Sequence, residues 1–102
     1  MIYTLDFLPS VAIDVKDAYN WYEDQLPGLG EDFLLSTDAA LNAIKRGPMQ
    51  FAKVYKTVRH LKVKRFPFGV FYVVNHNVIT VTAIVHLSRH PTTWKSRRVK
   101  RK

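Results

Sequence analysis

Val58-Arg-His-Leu-Lys-Val-Lys-Arg-Phe66 alternates apolar with basic residues, and that alternation decides the fold. Successive side chains of a strand point to opposite faces. Leu61 and Val63, flanked by Arg59 and Arg65, therefore share one face, and His60, Lys62 and Lys64 share the other. One face is core and the other is cationic. Pro67 breaks the run, and Phe68-Gly-Val-Phe-Tyr-Val-Val74 is dense enough in aromatic and β-branched residues to be a central strand. Asn75-His-Asn77 forms a tight turn before a last strand, Val78 to His86. Strict alternation there turns Ile79, Val81, Ala83 and Val85 toward the core, and Thr80, Thr82, Ile84 and His86 away from it.

Before Pro48 the period is that of a helix. Ile2 to Phe7 reads as a short strand stopped by Pro9, with Ser10 as the cap of the first helix. Val11, Val15, Ala18, Tyr19, Tyr22 and Leu26 then recur at helical spacing until Pro27-Gly-Leu-Gly30. A second helix starts near Glu31 with acids in its first turn, carries Phe33, Leu34, Thr37, Leu41 and Ile44 on one stripe, and ends at Lys45-Arg-Gly-Pro48. So short a connection makes the two helices antiparallel. The expected class is α+β in the order β-α-α-β-β-β, a helical hairpin packed on one face of a mainly antiparallel sheet.

The charges hardly mix. All eight Asp and Glu precede residue 40, while fifteen of the sixteen Lys and Arg lie from Lys45 onward. Residues 1–44 thus carry 1 − 8 = −7 and residues 45–102 carry +15. A field of this kind attracts polyanions and speeds their encounter. The 102 residues suffice for one domain, expected over 1–94, followed by a basic tail, 95–102. Five of the seven residues from Ser96 onward are basic, and a flexible tail of this kind adds salt-sensitive attraction to polyanions. The absence of cysteine excludes disulfides, thiolate zinc sites and cysteine nucleophiles. No metal or cofactor is expected. No apolar run approaches the roughly 20 residues of a membrane span, and the N-terminus lacks a signal-peptide pattern, so a cytoplasmic protein without a membrane partner is expected.

On this reading the sheet face away from the helices displays His60, Lys62, Lys64, Thr80, Thr82 and His86, with Tyr72 a further candidate. Any one of these is ordinary on a half-solvated sheet. Together they supply cations for phosphate and an imidazole for proton exchange, the ingredients of metal-free RNA cleavage through a 2′-hydroxyl. A docking surface needs the same residues. Trp94 is expected to pack back as a C-terminal anchor, and Tyr19, Trp21 and Tyr22 to pack the helical hairpin.

Three segments carry a resemblance: Ala18-Tyr-Asn-Trp-Tyr-Glu-Asp-Gln-Leu-Pro-Gly-Leu-Gly-Glu-Asp-Phe33, Val54-Tyr-Lys-Thr-Val-Arg-His-Leu-Lys-Val-Lys-Arg-Phe-Pro-Phe-Gly-Val-Phe-Tyr-Val-Val74 and Ala83-Ile-Val-His-Leu-Ser-Arg-His-Pro-Thr-Thr-Trp94. In this order they resemble the RelE/ParE superfamily of type II toxin–antitoxin toxins. The resemblance implies a growth-inhibiting toxin of a plasmid-stabilisation module, held inactive by a cognate antitoxin with an acidic, partly disordered segment. Such a partner suits the charge split. The superfamily divides between ribosome-dependent mRNA endoribonucleases and non-enzymes acting on DNA gyrase. The Pro-Gly-Leu-Gly hairpin and the ending Ala-Ile-Val-His look closer to the ParE-like branch, which makes gyrase the expected target and the ribosome with mRNA the alternative. In a ribonuclease, Lys62, Lys64 and Arg65 would stabilise phosphate charge and His86 would act as acid or base. Nucleic-acid or antitoxin contacts are expected from Arg59, His60, Lys62, Lys64, Arg65, Arg89, Arg97 and Arg98. His90 occupies a position that is acidic in many relatives, which removes a partner for Arg89. A non-toxic basic nucleic-acid-binding domain is the third reading.

Overall fold

The computed structural model describes residues 2–97. Strand β1 (Thr4–Phe7) leads into helix α1 (Pro9–Gln25) and helix α2 (Leu29–Arg46). A 3-10 turn, Pro48–Gln50, precedes β2 (Lys53–Tyr55), β3 (Val58–Lys62), β4 (Phe68–Asn75), β5 (Val78–His86) and the short helix α3 (Thr92–Lys95). The sheet order is β1-β5-β4-β3-β2, with β1 parallel to β5 and the other pairs antiparallel. The expected α+β hairpin-on-sheet architecture is present, with β2 and α3 as additions. Pro9 opens α1, where its fixed φ and missing N–H cost nothing, instead of ending β1 ahead of a Ser10 cap.

Glu23 shapes the hairpin. Its Oε1 accepts the Gly28 N–H at 2.9 Å and the Gly30 N–H at 2.8 Å, capping the start of α2 from the last turns of α1. Gly28 takes φ 92, a left-handed conformation that glycine adopts without strain. A Cβ on Gly30 would lie 2.7 Å from Glu23 Cγ and 2.8 Å from the Tyr19 ring, so only glycine lets the helices close this far.

Between hairpin and sheet lies an aromatic cluster of Tyr22, Phe33, Phe66 and Phe68, with centroids 4.9 to 6.0 Å apart. Ile44, Val70, Tyr72, Ile79, Val81 and Ile84 belong to the same core. Each fully buried side chain of this size stabilises the fold by roughly 1.5–3 kcal/mol.

One feature of β5 overturns the expected faces. Phe71 pairs with Ala83 but Tyr72 pairs with Val81, so Thr82 is an extra residue, a β-bulge. Beyond it the alternation is inverted. Ile84 joins the helix-side core, while Ala83 and Val85 pack with Phe71 and Trp94 on the outer face. His86 turns to the helix side, edge-on to Phe68 with centroids 5.4 Å apart. Tyr72 is likewise a core residue, and its hydroxyl donates to the Pro48 carbonyl at 2.6 Å.

Candidate functional site

Two surfaces flank α1. The larger is an apolar groove of about 1020 Å³ between α1 and α2, with Val11, Val15, Leu34 and Leu41 among its lining residues and with Lys16 and Asp38 also bordering it. Phe7 and Leu35, 48% and 69% exposed, leave apolar surface open to solvent at this groove. The smaller, about 500 Å³, lies between α1 and the end of β5, where Asp17 and Trp21 face Phe68, His86 and Arg89. The His86 Nδ1 accepts the Ser88 N–H at 3.0 Å and lies 2.7 Å from the Ser88 hydroxyl.

The residues singled out from sequence do not converge on one site. Lys62 stands on the outer side of β3 with His60, and its ammonium donates to the Val63 carbonyl at 3.1 Å. His86 stands on the helix side, so the sheet separates the two. Lys64 is exposed in the turn after β3. Arg65, also in that turn, reaches Asp32 at the start of α2 at 3.6 Å. Arg59 points inward and donates to the Met49 and Phe51 carbonyls at 3.2 and 2.6 Å, holding the 3-10 turn to the sheet. Arg89 is exposed at the smaller cleft. Arg98 lies outside the described residues.

Arg97 is docked rather than part of a free tail. Its guanidinium grips Asp14 with both terminal nitrogens, the Nη2 contact being 3.0 Å, and donates to the Thr82 carbonyl at 3.1 Å. The folded unit therefore reaches Arg97, beyond the expected boundary at residue 94. Trp94 anchors the same segment by stacking on Phe71 with centroids 4.5 Å apart.

Burial shifts several titrations. It lowers the pKa of His60, whose Nδ1 is enclosed without a hydrogen-bond partner and whose ring stacks on Phe71. Burial pushes the Tyr72 phenol up to about 12 against the opposing charge of Arg59.

The groove is not evident from periodicity. Its signal in the sequence is the pair Leu34-Leu35, in which Leu35 falls off the core stripe and lies exposed. Among the described residues no helix is long and apolar enough to cross a membrane.

The chain is thus a helical hairpin on a five-stranded mixed sheet, with its acidic residues in the first 44 positions and almost all of its basic residues beyond them. No family model matches the chain. Toxin ParE2 of Mycobacterium tuberculosis, in strains CDC 1551 / Oshkosh and H37Rv, is 28% identical over 79 residues, covering 76% of this chain and 75% of that protein. A chain of the chromosomal ParDE toxin–antitoxin system from P. aeruginosa shares the fold at TM-score 0.74 and 19% identity, over 83% of this chain and 96% of that one. The chain is thus similar to ParE toxins in sequence over about three quarters of its length, and it shares the fold of a ParDE chain.

Proposed function

We propose that this chain is the toxin of a type II toxin–antitoxin module of the plasmid-stabilisation type, neutralised by a cognate antitoxin and inhibiting DNA gyrase by binding, in the cytoplasm. The observation that carries the choice of target is the placement of His86 and Lys62 on opposite sides of the sheet. A general acid or base must reach the same scissile phosphate as the cations that stabilise it. Lys62 and Arg65 are moreover turned to a carbonyl and to Asp32. A binding mode makes no such demand.

The groove on the helical hairpin supports the antitoxin half of the reading. An amphipathic helix laid in it would bury Phe7 and Leu35, and apolar burial of this kind supplies affinity.

Induction from a tightly repressed promoter, with pulse labelling of DNA and protein synthesis over the first minutes, tests the target. DNA synthesis failing first, together with inhibition of gyrase supercoiling by the purified chain, is the expected result. Protein synthesis failing first would transfer the assignment to ribosome-dependent mRNA cleavage.

A further inference from the structure

We propose a nucleic-acid phosphate site at the tip of the β2–β3 hairpin, formed by Lys56, Lys95 and Tyr55. This goes beyond the toxin reading and does not depend on which target is correct. The Lys56 ammonium lies 5.2 Å from the centroid of the Tyr55 ring, and the Lys95 ammonium, arriving from α3, lies 4.5 Å from it. Trp94 meets Tyr55 edge-on at 6.3 Å. Two like charges thus share one small aromatic platform. Among the described residues the ion pairs are Arg65–Asp32 and Arg97–Asp14, so neither lysine has a carboxylate partner.

Backbone geometry supplies an independent observation. Tyr55 pairs with Val58 across a two-residue turn in which Lys56 takes φ 50. Hairpin turns place glycine or asparagine in that left-handed conformation, because a longer side chain is strained there. A lysine at this point sacrifices stability and gains an ammonium beside Tyr55. Strain of this kind collects at ligand-holding positions. An anion bound beside either ammonium would offset the doubled positive charge at the ring. Phosphodiesters fit better than a lone anion because this half of the chain repeats its cations, with Lys53, Lys62 and Lys64 on the neighbouring strands and turn.

The test is anisotropy titration of the full chain against a labelled duplex DNA and a labelled single-stranded RNA over a salt series, with polyglutamate as competitor. The variants are Lys56→Gly, Lys95→Gln and, as a charge-matched control, Lys45→Gln at the end of α2. Loss of one phosphate contact should reduce the salt slope by about one unit and weaken binding about eightfold at 0.1 M salt relative to 1 M. Lys56→Gly should show this loss while its melting temperature stays level or rises, since glycine removes the strain. That combination separates a binding role from a structural one. A loss confined to DNA or to RNA identifies the source of the phosphate. Equal losses in Lys45→Gln, unchanged binding in Lys56→Gly, or an equal loss of polyglutamate binding would each overturn the site.

Discussion

Asp14 on α1 and Arg97, 83 positions apart, form a two-point ion pair that closes the open edge of β5. Strand β1 covers β5 only as far as Val81. Beyond that point the Asp14 carboxylate accepts the Ile84 N–H at 3.1 Å and Arg97 donates to the Thr82 carbonyl, so two side chains stand in for a missing strand. The pair is well buried, its side chains 8% and 19% exposed. Removing one partner of such a pair leaves the other charge uncompensated. Asp14→Ala, which also orphans the Ile84 N–H, should cost about 3 kcal/mol in urea unfolding. Arg97→Ala should cost less, about 2 kcal/mol, because Ile84 still satisfies part of the carboxylate. Additive losses in the double variant would show that the two groups are not coupled.

The loop between α1 and α2 depends on Glu23 in the same sense. Glu23→Ala removes one carboxylate and strands two backbone donors, at Gly28 and Gly30. Since Gly28 is exposed and water replaces its acceptor, the loss should be about 1–2 kcal/mol. Gly30→Ala should cost more, about 2–3 kcal/mol, because the methyl group meets the Tyr19 ring as well as Glu23. Both are read from chemical denaturation midpoints. A Gly30→Ala protein as stable as the parent would mean that the helices separate freely.

These contacts mark the boundary of what is legible in the sequence. The helical hairpin and strands β4 and β5 follow from periodicity and from Gly and Pro punctuation, which are local signals. The bulge at Thr82 leaves no such trace, since one inserted residue looks like any other in an apolar run, yet it carries His86 across the sheet. Strand β2 has three residues, too few to show a period. The basic residues read as one surface because side-chain partners are invisible in sequence. Arg59 turns to two carbonyls and Arg97 to a carboxylate at the other end of the chain, neither deducible from spacing.

His60 should make stability pH-dependent. Burial lowers its folded pKa below the ordinary value of 6.5, so the unfolded chain binds the proton more readily. Its contribution is therefore complete above pH 6.5 and is lost as pH falls through the folded pKa. His60→Phe keeps a ring against Phe71 and removes the enclosed nitrogen, so this variant should lose less stability than the parent between about pH 7.5 and the acid side of that window. Parallel urea midpoints at the two pH values check this. An unchanged dependence in the variant would assign the acid sensitivity to other groups.

Leu35 and His86 separate neutralisation from toxicity. Leu35 is 69% exposed at the groove, so Leu35→Glu should fold normally. Placing a carboxylate where an apolar side chain of the antitoxin must seat should weaken the complex by at least about tenfold, the scale of one buried leucine contact. Toxicity should persist, and co-expressed antitoxin should fail to rescue growth. His86→Ala should leave growth inhibition within about threefold of the parent, whereas loss of a general acid or base costs about 100-fold or more. If His86→Ala abolishes toxicity in a protein that still melts at the parental temperature, the imidazole acts in the chemistry and the binding-only mechanism fails.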